Sequence, residues 1–175
     1  MAHFDRDDII ITGLCDVESF DITTDGNRNW TQISVPETLL IPEQKPDIEQ
    51  LNSVNISVRI VRQKVIETPA SDGDNVEGKR LTGRKLIIEG ELCQTISYTA
   101  DVPEQSVHSA QFVVPFSAFI VIPAETALDA NFQVNVCVED VFIQDFTPRQ
   151  IFKNVTLLLQ AIQTPFIGCQ DEQCL

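Results

Sequence analysis

The sequence has few of the residues on which most enzymes and nucleic-acid-binding proteins depend. It contains two histidines, one tryptophan, one tyrosine and one methionine in 175 residues. Basic residues are also scarce, because 12 lysines and arginines stand against 26 aspartates and glutamates, for a net charge of −14. Such a charge repels polyanions, whose binding requires that phosphates be neutralised. We therefore expect neither nucleic acid nor a membrane as a partner.

Motifs of catalysis and cofactor binding are missing as well. The sequence has no nucleophile elbow, no phosphate-binding glycine loop, no dinucleotide fingerprint and no zinc-protease motif. His3 lies near the N-terminus, and His108 shares parity with Ala110 and Phe112, which favours a strand residue at a sheet margin over a general base. The sequence thus predicts no catalytic residue, no metal site, no cofactor and no enzymatic activity.

A secretory signal and a membrane span are absent too. The first residues, MAHFDRDDIIITG, are acidic and lack the basic and apolar regions of a signal peptide. No apolar run approaches the roughly 20 residues that cross a bilayer. We expect synthesis in a cytoplasm.

The most informative stretch is Leu81–Pro123, which contains two long strand-like segments. Apolar and polar residues alternate over Arg84–Ala100 with the period of two that is typical of a half-buried strand. Gly90 within it predicts a bulge or a close backbone approach. The second segment, Val107–Ile122, contains Pro115, which cannot donate to a ladder; it is therefore either one edge strand or two strands broken at that proline.

Further segments complete the pattern. Alternation predicts strands at 54–68, 132–146 and 151–162, and an extended segment at 28–41. Together these features predict an all-β fold, an antiparallel sandwich of about six to eight strands, with extended N- and C-terminal arms. We place the N-terminal arm at 1–20, the sandwich domain at 21–163 and a cysteine-containing tail at 164–175.

Three short segments between the strands have their own signals. The run 46–51, a proline followed by acidic residues, suits one or two helical turns, and 124–130 favours another short turn of helix. Residues 72–75, Asp-Gly-Asp-Asn, resemble a calcium loop superficially but lack its ligand run and terminal glutamate, so we interpret them as a hairpin turn.

The N-terminal arm contains a short apolar run, Ile9, Ile10 and Ile11. A lone strand with no turn to a partner must pair with a sheet edge somewhere. We therefore predict edge-strand pairing through these three residues.

The five cysteines support the sharpest prediction. Cys93 and Cys137 lie on the polar parity of their strands and should point away from the core, while Cys15, Cys169 and Cys174 lie in the arms. An odd total leaves at least one thiol without a partner in its own chain. We predict inter-subunit disulfides from all five. The alternatives are five reduced thiols, as a cytoplasm favours, or a zinc site that uses the C-terminal pair.

A series of short motifs in a fixed order carries a family resemblance. The motifs are Val61–Pro69, Leu81–Leu86, Glu89–Leu92, Tyr98–Asp101, Gln105–His108, Pro115–Ser117 with Pro123, and Ile151–Val155. Together they resemble the SPOCS domain, found in spore-coat and spore-surface proteins of endospore-forming clostridia and their relatives. The resemblance covers most of residues 35–163.

The resemblance implies a non-enzymatic structural protein of the endospore surface, in a coat, an exosporium or an appendage. Such a protein is made in the mother-cell cytoplasm and reaches an oxidising exterior when that cell lyses. We expect it to self-assemble by arm exchange and intermolecular disulfides, with copies of itself and other spore coat proteins as partners. The alternative is a monomeric module that binds a partner coat protein or a glycan.

Overall fold

The computed structural model describes residues 8–16, 29–76 and 78–164, and these form seven strands and no α-helix. The strands are β1 (Ile10–Thr12), β2 (Trp30–Leu40), β3 (Ile48–Ala70), β4 (Thr82–Ala100), β5 (Val107–Val121), β6 (Phe132–Phe146) and β7 (Gln150–Gln163). A four-stranded sheet has the order β1-β3-β4-β5, and a three-stranded sheet has the order β2-β7-β6. The predicted all-β sandwich is confirmed.

Every neighbouring pair of strands is antiparallel except β1 and β3, which run parallel. The core lies between the sheets, because β4 and β7 each turn one parity inward. From Leu86 to Ala100 every second residue of β4 is buried, and from Ile151 to Ala161 β7 does the same. Period-two alternation therefore identified the inward faces of the two central strands.

Pro115 and Gly90 both behave as the sequence predicts. Strand β5 is unbroken and forms an edge of its sheet, where the missing N–H of Pro115 costs no ladder bond. A Cβ added to Gly90 would lie 2.6 Å from Cε1 of Phe116, so the aromatic ring fills the space that a side chain would need. Opposite this glycine, β3 shifts register after Ile60.

The predicted helical turns at 46–51 and 124–130 are wrong. Strand β3 already begins at Ile48, and both Ile48 and Leu51 are buried in the core. Burial in the sheet therefore outweighs the local preference of a proline followed by acidic residues. Asp47 instead accepts a hydrogen bond from Nη1 of Arg149 at 2.9 Å. Residues 124–130 form turns without a helix.

A β-bulge changes which residues of β6 face inward. Unbroken alternation over 132–146 would put Phe142 on the same side as Val138, but Phe142 is 45% exposed. The register shifts between Val138 and Asp140, as in a β-bulge, and this extra residue moves Val141 and Ile143 to the inner face.

Within the described ranges, no helix is long and apolar enough to cross a membrane.

Candidate functional site

Two of the five cysteines are bonded to each other within the chain. Cys15 and Cys137 form a disulfide with their Cα atoms 5.2 Å apart, inside the usual range for such bonds. In this structure both thiols are therefore used within one chain, and their role as inter-subunit links stays a prediction. The pair was hidden from sequence reasoning because 122 residues separate its members.

Cys137 does lie on the outer face of the three-stranded sheet, as its parity predicts, but it is not accessible. Its side chain is 1% exposed, and Leu158, its neighbour in register on β7, is also buried. The adjacent Val138 and Leu157 belong to the sandwich core, whereas Cys137 and Leu158 do not. The outer face is therefore covered at this point, and the bonded Cys15 accounts for part of the cover.

The segment that carries Cys15, residues 9–15, is called here the N-terminal segment. Its strand β1 pairs with the edge of β3, and the amide of Asn55 donates to Oγ1 of Thr12 at 2.9 Å. Beyond the strand, the backbone N–H of Cys15 donates to the carbonyl of Val138 on β6 at 3.0 Å. The N-terminal segment thus joins the β3 edge of one sheet to the β6 edge of the other.

Gly13 allows this crossing. It has φ of +97°, a conformation that favours glycine, and an added Cβ would lie 2.9 Å from the carbonyl carbon of Ile56 and nearer still to its oxygen. The chain can therefore pass this close to β3 only without a side chain.

Of the three isoleucines predicted to pair with a sheet edge, Ile10 and Ile11 pair with β3 of the same chain, and Ile9 precedes the strand. Ile9 and Ile11 pack against the core while half-buried, and Ile10 is 65% exposed. Strand β1 contains only three residues. Pairing with a neighbouring subunit stays a prediction.

The other cysteines differ in what the structure says of them. Cys93 is a free, half-buried thiol on the outer face of the four-stranded sheet, opposite Ser57 and Val113 in register. Its outward orientation agrees with the prediction, and its role as an inter-subunit link stays a prediction. Cys169 and Cys174 lie outside the described residues.

The outer face around Cys93 is largely a solvated one. Nε of Arg59 donates to Glu91 at 3.0 Å, and Nη2 of Arg62 donates to Glu89 at 2.8 Å. Each pair joins β3 to β4 across the sheet, and both arginines are more than half exposed. Exposed pairs of this kind add little to stability, because solvent and salt screen the charges.

A polar cluster that sequence reasoning missed lies between the sheets: Glu37 on β2, Lys153 on β7 and Gln94 on β4. The side chains of Glu37 and Lys153 face each other in register, are fully buried and form an ion pair. Across the core, Nε2 of Gln94 donates to both oxygens of the same carboxylate, at 2.9 and 3.0 Å. All three lie in the middle of the sandwich and are polar or charged, whereas most other inward-facing residues are apolar.

The electrostatics of the polar cluster follow from its burial. Loss of solvent lowers the pKa of Lys153 below its ordinary value of 10.5, and the hydrogen bond to Glu37 opposes that shift. Oε1 of Gln94 is buried and has no hydrogen-bond partner among the described residues. A signal was present in the sequence, because each residue stands on the core parity of its strand.

His108 and the metal-ligating residue types form no reactive group that the structure describes. Nε2 of His108 lies 3.0 Å from the hydroxyl of Ser106, and its ring stacks on Tyr98 with centroids 6.0 Å apart. Among residues 8–16, 29–76 and 78–164, no three His, Cys, Asp or Glu side chains are grouped to hold a metal.

Comparison with known families gives one finding. The family described as SipL, SPOCS domain, matches residues 47–144. This range starts at the beginning of β3 and ends within β6, so it includes Cys93, Cys137 and Gln94 but not Cys15, Glu37 or Lys153. No curated protein and no solved structure matches the chain.

Proposed function

Because the chain belongs to the SipL, SPOCS-domain family and is thus a spore-associated protein, we propose that it is a non-enzymatic structural protein of the spore surface. It self-associates into a coat layer, an exosporium lattice or an appendage. Copies are connected by exchange of the N-terminal segment, and the bond between Cys15 and Cys137 then joins two subunits. Other spore coat proteins are further partners.

The observation that carries this proposal is the position of the N-terminal segment. Its backbone contacts named above are with residues of β3 and β6 that lie more than 40 positions further along the chain. The same segment of a second copy can make the same contacts, since an exchanged element reproduces the native interface. Exchange therefore requires no new surface.

The small size of the segment favours exchange before the disulfide forms. Strand β1 contributes three residues of pairing, and Ile10 is mostly exposed. A reducing cytoplasm keeps thiols free, so the segment is held only by these few contacts. After lysis of the mother cell, an external oxidant such as dioxygen removes two electrons and two protons from Cys15 and Cys137, and the connection becomes covalent.

Repeated exchange in one direction gives an open assembly. Each copy then donates its N-terminal segment on one side and accepts that of another copy at β3 and β6. Such a heterologous contact generates a filament or a sheet unless its rotation closes a ring. Cys93, which is free and outward-facing, is available for lateral links between filaments.

The test is electrophoresis with electron microscopy. Protein purified under reducing conditions and then oxidised should give ladders on non-reducing gels that collapse on reduction, together with ordered polymers in negative stain. Removal of residues 1–15 should abolish the polymers while the sandwich stays folded by circular dichroism. The Cys93→Ser variant is the matched control and should still polymerise.

The same experiment separates the alternative function. A monomeric binding module would stay a single species after oxidation, with no ladder and no polymer. That result would contradict the proposal, and so would normal polymers from the truncated protein.

A further inference from the structure

We propose that the polar cluster forms an intramolecular amide bond between Nζ of Lys153 and Cδ of Gln94, with Glu37 carrying the proton between them. The bond would connect β7 in one sheet to β4 in the other through the centre of the core. It is a modification site within the chain and does not depend on how copies assemble.

The arrangement of the three side chains is the first support. Nζ of Lys153 and Nε2 of Gln94 both bind Oε2 of Glu37, so one carboxylate oxygen contacts the amine and the amide together. The shared contact brings the amine close to the amide nitrogen that has to leave, with Glu37 hydrogen-bonded to both groups. Fixing reactants in this way removes much of the entropic barrier to their reaction.

Burial is the second support, because it prepares the amine. An ammonium group cannot attack a carbonyl carbon, but a neutral amine can. Loss of solvent around Lys153 lowers its pKa and favours the neutral form. The adjacent carboxylate of Glu37 is a ready acceptor for the proton that the ammonium releases.

The amide group of Gln94 is the third support. Both hydrogen bonds of its nitrogen go to Glu37, whereas its buried carbonyl oxygen has no partner in the part of the chain that the structure describes. A buried polar atom without a partner is uncommon in folded proteins and calls for a physical reason. What the contacts do show is that the amide is anchored to the proton carrier through the nitrogen that has to leave.

The step conserves atoms and electrons. Lys153 first passes one proton to Glu37, which leaves a neutral amine and a carboxylic acid. The lone pair of Nζ then attacks Cδ of Gln94, and the bond from Cδ to Nε2 breaks as Glu37 transfers one proton from Nζ to the departing nitrogen. The products are a substituted amide, one molecule of ammonia and Glu37 in the acid form. No oxidant or reductant takes part.

Mass spectrometry tests the bond directly. The folded protein, reduced and then denatured, should be lighter than its sequence by one ammonia. Proteolysis should release a branched peptide that joins residues of β4 to residues of β7 through Gln94 and Lys153. An unchanged mass would overturn the proposal and leave the cluster as an ion pair only. Loss of water instead of ammonia would also overturn it, since the bond would then be to the carboxyl of Glu37.

Variants separate the roles of the three residues. Glu37→Gln keeps the amine and the amide but removes the proton carrier, so it should have the full sequence mass, as should Lys153→Met. Gln63→Met is the matched control, because Gln63 is the other side-chain amide with a buried, partnerless oxygen among the described residues, and this variant should still lose ammonia. If Glu37→Gln does not fold, the mass of the protein without any substitution decides whether the bond forms.

Discussion

Reduction of the disulfide between Cys15 and Cys137 should destabilise the sandwich strongly. The bond joins residues 122 positions apart, so it closes a loop that contains most of the chain. Restriction of the unfolded chain by a loop of this length corresponds to about 5 kcal/mol in the chain-entropy treatment, and measured losses are typically about 2–4 kcal/mol. We expect reduction to lower the free energy of unfolding by roughly 2–5 kcal/mol.

Urea titration followed by the fluorescence of Trp30 measures this effect. Trp30 is the single tryptophan and lies at the start of β2, so its signal reports the pairing of β2 with β7. The oxidised monomer, separated from any polymer, should have a higher urea midpoint than the reduced protein. The Cys15→Ser variant should have the urea midpoint of the reduced protein under both conditions. The Cys93→Ser variant should show the same difference between oxidised and reduced forms as the protein without substitutions.

Two results would refute this reasoning. Equal midpoints for oxidised and reduced protein would show that the bond does not restrict the unfolded chain. A peptide map of the oxidised monomer that joins Cys15 to a cysteine other than Cys137 would show that the pairing itself is wrong.

Three further predictions concern single residues. Gly13→Ala should weaken the contacts of the N-terminal segment by about 1–3 kcal/mol, because alanine is strained at φ of +97°. Dithiothreitol should then reduce the disulfide faster. Gly73→Ala should leave the rate of reduction unchanged, since an added Cβ there lies in open space. Gly90→Ala should lower the unfolding free energy by about 1–3 kcal/mol, since its Cβ would overlap the ring of Phe116; an unchanged urea midpoint would contradict this. Burial raises the pKa of Tyr98 above its ordinary 10.0, so the unfolded chain loses this proton first and stability should fall as pH rises above that value. In the Tyr98→Phe variant the urea midpoint should no longer fall in this alkaline range. A fall of equal size in the variant would show that another group causes it.

The strands were predictable from sequence wherever alternation was regular and long. Strand β4 turns one parity inward from Leu86 to Ala100, so the period of two indicated both the strand and its buried face. The bulge after Val138 was not predictable, because an extra residue in one strand shows only against its partner. Local preference likewise misled at Ile48, where tertiary burial decides the conformation.

The candidate sites were predictable only in part. Parity placed Cys93 and Cys137 on outer faces, but nothing local indicates that Cys15 covers one of them. Pairing across 122 residues depends on how the sheets stack, which the sequence pattern does not specify. The polar cluster was different, since Gln94 and Lys153 stand visibly on apolar parities and could have been noticed.

The most direct test of exchange between subunits mixes two variants. In chains whose Cys93, Cys169 and Cys174 are serine, one variant carries Cys15→Ser and the other Cys137→Ser, so neither can form the bond alone. Mixed under reducing conditions and then oxidised, they should give a covalent heterodimer with Cys15 of one copy bonded to Cys137 of the other. If only monomers remain, or if each variant links to itself as readily as to the other, exchange of the N-terminal segment does not connect the subunits.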